Sequence, residues 1–274
     1  MRTQPSRQRL IPVTALRHLY QLLRDFPKEE FQLAVCKEIC RRPDQLLKLM
    51  AESRDHFALY DNRGEAFHNR GAEGLLTPSR QDSSHLANRF VQQLAFSEDK
   101  VVQVVDAPKY SFRYVDYDIS PWRTTYSEFE NGKSGQSSGA GGLDLLLSNC
   151  IDQTPIIGEI KADTDVNPFL GLIQSMMYAV ELSTPAQRAR LSLHYPERFA
   201  VSDTGAGIDI YLILLRYPQD KISLEFLSLT NQLSARLMAD TRVAGTIRRI
   251  VALETPMTSA CLDNMTVAFA HSQL

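Results

Sequence analysis

The sequence predicts an α/β fold, a mixed central sheet flanked by helices with a helical appendage at its N-terminus. Three observations predict it. Apolar residues recur at helical spacing through the first 70 residues. From Gly141 to Leu182 two short apolar strands lead into an amphipathic helix. Further on, Ile208–Tyr217 (IDIYLILLRY) is almost continuously apolar, as a central strand covered on both faces would be. A chain of 274 residues suits one large domain, or one domain with a small addition.

In the N-terminal region, Leu16, Leu19, Tyr20 and Leu23 fall on one helical face. Phe31, Ala34, Val35 and Ile39 form a second such set, and Leu46, Leu47, Leu49 and Met50 a third. Pro27 and Pro43 mark the breaks between them. Residues 71–82 (GAEGLLTPSRQD) read as a loop and as the boundary. Residues 1–70 are therefore expected to form a helical region and residues 71–274 the main domain.

Ser83–Phe96 reads as a helix, then Val101–Val105 and Tyr110–Tyr117 as strands of a hairpin turning near Ala107-Pro108. Tyr110, Phe112 and Tyr114 alternate with Ser111, Arg113 and Val115. These aromatics, with Arg113, Trp122 and Arg123, are suited to bases and phosphates, but packing on one sheet face is the stronger reading. Glu130–Gly142 (ENGKSGQSSGAGG) does not complete the G-x-x-x-x-G-K-[ST] pattern of a phosphate-binding loop. It is expected to be a flexible loop over the mouth of a site. Beyond the central stretch, Thr184–Thr204 reads as loop and short helix, Leu229–Ala239 as a helix, and Ile247–Leu253 as the last strand.

The central stretch carries the chemistry. Asp144 lies inside the apolar run Leu143–Leu147. Glu159 and Lys161 lie in the strand from Pro155 to Lys161, on one face of it, with Ile160 on the other. The helix begins at Asn167-Pro168, with Asn167 as N-cap and Pro168 in the first turn. Phe169, Leu172, Ile173, Met176, Met177 and Val180 make its apolar face, and Gln174 and Tyr178 lie one turn apart. An acid in a buried strand is costly unless compensated. If the strands pair, two carboxylates and an ammonium meet at one end of a sheet. Two carboxylates invite a divalent cation such as Mg²⁺, which keeps waters and takes phosphate oxygens as further ligands. A neighbouring lysine suits the polarisation of an attacking water.

The ordered set resembles the PD-(D/E)xK nuclease superfamily, with a restriction-endonuclease-like fold. The matching residues are Asp144 in GGLDLLL, Glu159-Ile160-Lys161, and Gln174 to Tyr178, which is similar to the QxxxY element of the exonuclease-type branch. The resemblance implies that Asp144, Glu159 and the Ile160 carbonyl hold Mg²⁺ or Mn²⁺, and that Lys161 serves catalysis. It implies that Gln174 and Tyr178 support the site or touch nucleic acid, DNA being the expected partner. One departure stands out. The family usually carries a glutamate on the helix before the core sheet, and Ser83–Phe96 has none. A catalytically degenerate member that binds nucleic acid or a protein partner is therefore the alternative.

Blander readings stand beside these. An ExK alone is expected about once by chance in a chain of this length, and would then be an edge-strand ion pair. Gln174 and Tyr178 could simply be a polar helix face. Asp163 and Asp165 are better read as turn-forming loop acids than as metal ligands. Asp203-Thr204-Gly205-Ala206 spells the motif of retroviral-type aspartic proteases. This chain is too helical for that fold, and its glycines serve the turn into Ile208.

Composition excludes little. The net charge of −2 gives no whole-chain signal for nucleic acid. Residues 1–54 nevertheless carry eleven Lys and Arg against six Asp and Glu, +5 overall, leaving −7 for the remainder. That asymmetry suits phosphate contacts, or equally a solvated helical or dimerising module, so a homodimer stays open. No apolar run reaches the length of a membrane span, and no secretory signal is recognisable. Cys36, Cys40, Cys150 and Cys261 make no CxxC pair and read as reduced thiols, so a cytoplasmic protein without membrane contact is expected.

Overall fold

The computed structural model describes residues 15–26, 28–58, 67, 84–119, 143–162, 165, 167–199, 207–255 and 265–273. The helices are α1 (Ala15–Asp25), α2 (Glu29–Arg41), α3 (Pro43–Phe57), α4 (Ser84–Phe96), α5 (Pro168–Leu182), α6 (Pro185–His194) and α7 (Lys221–Met238). The strands are β1 (Val101–Val102), β2 (Phe112–Ile119), β3 (Leu143–Asn149), β4 (Pro155–Ala162), β5 (Ile208–Leu215), β6 (Ile247–Thr255) and β7 (Thr266–Ser272). Trp122, Arg123, Asp163, Asp203, Cys261, the boundary loop 71–82 and the Gly/Ser stretch 130–142 lie outside the described residues.

The seven strands form one mixed sheet in chain order, β1 to β7. β1 to β4 run antiparallel in succession, β4, β5 and β6 are parallel, and β7 is antiparallel to β6. The direction changes at β4 because α5 intervenes. A parallel neighbour needs a crossover, whereas antiparallel neighbours need only a turn.

The sheet is covered on both faces. Leu146 and Ile157 share one cluster with Ile210, Leu212 and residues of α1, α2, α3, α5 and α7. Leu145, Leu147, Ile156, Ile160, Tyr211 and Ile213 share the other, with Phe90, Val91 and Leu94 of α4. The N-terminal helices thus share the core of the sheet. Cys40 Sγ donates to the Leu229 carbonyl of α7 at 3.4 Å. Lys37 pairs with Glu225 at 2.5 Å.

β5 is buried along its whole length, as its apolar run predicts. Leu212, fully buried there, is expected to cost about 2–5 kcal/mol when cut to alanine. A urea unfolding midpoint within error of wild type would show that this strand is not the centre of the core.

Several bounds differ from expectation. The first hairpin is reduced to a two-residue β1, because the chain turns through a 3-10 segment, Pro108–Tyr110. The last long helix begins at Lys221 rather than Leu229. Asp220 caps it, accepting from the backbone N–H groups of Ile222 and Ser223 at 2.9 and 3.0 Å. Ile247–Thr255 is followed by a further strand, β7. Phe269, its lone buried residue, made it weak as a sequence signal. Tyr110, Phe112 and Tyr114 do pack together on the α4 side. Among the described residues no helix is long and apolar enough to cross a membrane.

Candidate active site

The site is built on the β3–β4 hairpin. Leu145 pairs with Gly158 at the end of the antiparallel ladder, which puts Asp144 one position beyond it, next to the Glu159–Ile160 segment. Strand alternation puts Asp144, Glu159 and Lys161 on the face covered by α1, α3 and α5, and Ile160 on the α4 face. The Ile160 N–H donates to Asp144 Oδ2 at 2.8 Å, which ties the acid to the neighbouring strand. β4 is the fourth of seven strands, so Glu159 and Lys161 are not an edge-strand pair.

Glu159 and Lys161 are 2% and 4% exposed. Lys161 Nζ lies 3.1 Å from Glu159 Oε1 and 2.6 Å from Asp165 Oδ2. Asp165, read from the sequence as a turn-forming loop acid rather than a metal ligand, is therefore the lysine's second counter-ion. Burial disfavours the Lys161 ammonium, but Glu159 and Asp165 outweigh it and raise the pKa above the usual lysine range. Burial and then Asp144 push the Glu159 carboxyl up to about 8, against the opposing pull of Lys161. Glu159 Oε2 is buried and has no hydrogen-bond partner among the described residues.

α5 holds the site from above. Asn167 caps it, accepting from the Leu170 N–H at 3.0 Å, while its own amide donates to Gln32 Oε1 of α2 at 3.0 Å. Gly171 passes directly over the pair: a Cβ there would stand 2.6 Å from Lys161 Cε and 3.0 Å from Glu159 Cγ. A glycine inside a helix costs up to about 1 kcal/mol relative to alanine, so Gly171 was a legible sign of a close approach. Gln174 and Tyr178 follow one and two turns later on the same stripe. Gln174 is half-buried and Tyr178 buried. Burial, Glu181 and Glu159 raise the Tyr178 hydroxyl well above its ordinary range. The structure thus brings Asp144, Glu159 and Lys161 together under α5, and Tyr178 within range of the Glu159 charge.

α4, the helix before the sheet that carries no glutamate, packs on the opposite face of the sheet. A carboxylate on it would not reach this site. The helix that does approach is α1. The Tyr20 hydroxyl is raised by burial and then by the Glu159 charge, and it also feels Lys161 and Asp144. Nothing in the sequence singled Tyr20 out from the apolar face of its helix.

Because the folded pKa of Glu159 lies above the ordinary 4.5, its contribution to stability in metal-free protein falls as pH rises from about 4.5 to about 8. Glu159→Gln stays neutral throughout. Its melting temperature relative to wild type should therefore climb across that window, by roughly 2–4 °C per kcal/mol of linkage. A gap independent of pH would mean that Glu159 ionises as freely folded as unfolded.

Compared with known proteins, the chain matches no family model, no curated protein and no solved structure. Among the described residues no group of three or more His, Cys, Asp and Glu side chains is placed to hold a metal ion. The donor set is a pair, Asp144 and Glu159, with the Ile160 backbone between Glu159 and Lys161. Such a pair fits a hard cation that keeps most of its waters, and the orphaned Glu159 Oε2 is an oxygen with no other partner to lose.

Proposed function

We propose that this protein is a divalent-metal-dependent nuclease of the PD-(D/E)xK type, hydrolysing phosphodiester bonds of nucleic acid, in the first place DNA. The observation that carries the reading is Asp144 tied to the Ile160 N–H of β4, next to Glu159, with the Lys161 ammonium buried beside Glu159. In this reading Asp144, Glu159 and the Ile160 carbonyl hold Mg²⁺ or Mn²⁺. The ion, when bound, supplies the electrophilic pull on a phosphate oxygen. Lys161 orients the water whose oxygen forms the new bond to phosphorus, and offsets the negative charge that grows as the ester P–O bond breaks. Asp165 and Glu159 keep that ammonium charged and aimed. The mixed sheet flanked by helices is the architecture that this resemblance implies.

A second reading is a non-cutting relative that binds nucleic acid or a protein. It is favoured because no group of three or more His, Cys, Asp and Glu side chains is placed to hold a metal ion among the described residues. Incubating plasmid, linear and single-stranded DNA with the protein, with and without Mn²⁺ or Mg²⁺, separates the two. Metal-dependent cutting supports the nuclease; no cutting on any of them, with no metal binding by calorimetry, supports the binding module.

A further inference from the structure

Helix α1 shows a stripe that the nuclease reading does not use. Arg17, Tyr20 and Arg24 stand at positions i, i+3 and i+7, hence on one side of the helix. The stripe is graded in exposure: Arg17 is buried at 3%, Tyr20 is half-buried, and the Arg24 side chain is 45% exposed. It runs from the core to the solvent. α1 packs against α5, whose own stripe of Gly171, Gln174 and Tyr178 starts on top of Glu159 and Lys161.

Among the described residues the Tyr20 hydroxyl and the Gln174 amide make no hydrogen bond, and Glu159 Oε2 is orphaned. The Arg24 guanidinium lies 5.8 Å from the Tyr20 ring centroid, a cation–π contact that orients both groups. Its Nε is bonded to Asp25 Oδ1 at 3.0 Å, and its two terminal nitrogens have no hydrogen-bond partner among the described residues. Asp144, Glu159 and Asp165 make the interior of the site acidic, with Lys161 as the counter-charge. A polyanionic strand approaching such an interior needs donors at its mouth. A guanidinium with its terminal nitrogens open and a neutral hydroxyl are groups that bind phosphate oxygens.

We infer that α1 is part of the substrate surface: Arg24 and the Tyr20 hydroxyl hold a phosphate of the bound strand beside the Glu159–Lys161 centre. The inference rests on the nuclease reading and goes further. It makes the N-terminal helical region part of the active site, and it gives its basic surplus a local task.

The test uses the full chain, Mn²⁺ and fluorescein-labelled DNA, with kcat and KM measured separately beside anisotropy in EDTA. Arg24→Gln is at the surface and should leave the melting temperature unchanged. It should raise KM about tenfold, with kcat within a factor of two or three, and lower the slope of log affinity against log salt by about one. Tyr20→Phe keeps the ring and its packing and should lower kcat/KM about tenfold. Wild-type protein that cuts, with both variants cutting and binding like it, overturns this inference alone. A wild-type protein that neither cuts nor binds labelled DNA overturns the nuclease reading and this inference with it. If Tyr20→Phe melts early, the KM and salt slope of Arg24→Gln decide.

Discussion

On the proposed nuclease reading, Lys161→Ala is expected to remove metal-dependent cleavage by at least about 10²–10³-fold while leaving the protein folded. The first half follows from position: the ammonium is held against both Glu159 and Asp165 at the centre of the site. The second half needs an argument, because taking one partner from a buried ion pair commonly costs about 3–5 kcal/mol. Here the partner left behind has an escape. Burial and Asp144 already push the Glu159 carboxyl up to about 8, so at neutral pH it takes a proton rather than staying buried as a bare charge. Circular dichroism and a plasmid-cleavage assay on the same preparation check both halves. Undiminished cleavage would remove Lys161 from the chemistry. Lys161→Arg should not restore activity, since Gly171 leaves no room for a planar guanidinium in place of the slim lysine.

Gly171→Ala is expected to reverse the usual sign of a glycine-to-alanine change in a helix. In an open helix the substitution gains up to about 1 kcal/mol. At this position the new methyl would sit 2.6 Å from Lys161 Cε, a separation no native contact allows. Lys161 has a flexible end and can swing aside, so the protein survives, at a cost of about 1–3 kcal/mol from overpacking. The displaced ammonium is the larger effect. A shift near 1 Å at a reacting centre can lower the rate about 10²-fold, so kcat should fall much further than the melting temperature. An alanine variant that is more stable and fully active would mean that α5 does not press on the pair.

Most of the central sheet could be read from local pattern, because strands such as β5 bury both faces and show it as an unbroken apolar run. The caps were legible too: Asn167 was read from its place before Pro168, and it caps α5 as expected. β7 escaped because its residues are mostly half-exposed, and the start of α7 escaped because its cap, Asp220, precedes a first turn of mixed polarity. At the site, Asp144, Glu159 and Lys161 were visible through alternation along two strands. Tyr20 was not, since its place depends on how α1 meets α5, a relation between segments about 150 residues apart. The missing glutamate of α4 bears little on this site for a related reason. Sequence order says that α4 precedes the sheet, but not which side of the sheet it lies on.

The sheet has one property whose effect falls on assembly. Its strands stand in the order in which they leave the ribosome, so each new strand joins a free edge and none has to be threaded between two already placed. The two acids meet as soon as one hairpin closes. Their lysine counter-charge arrives with the same hairpin, but the helix that shuts them from water comes only afterwards, and the C-terminal strands later still. A buried cluster of charges is therefore laid down early and sealed late.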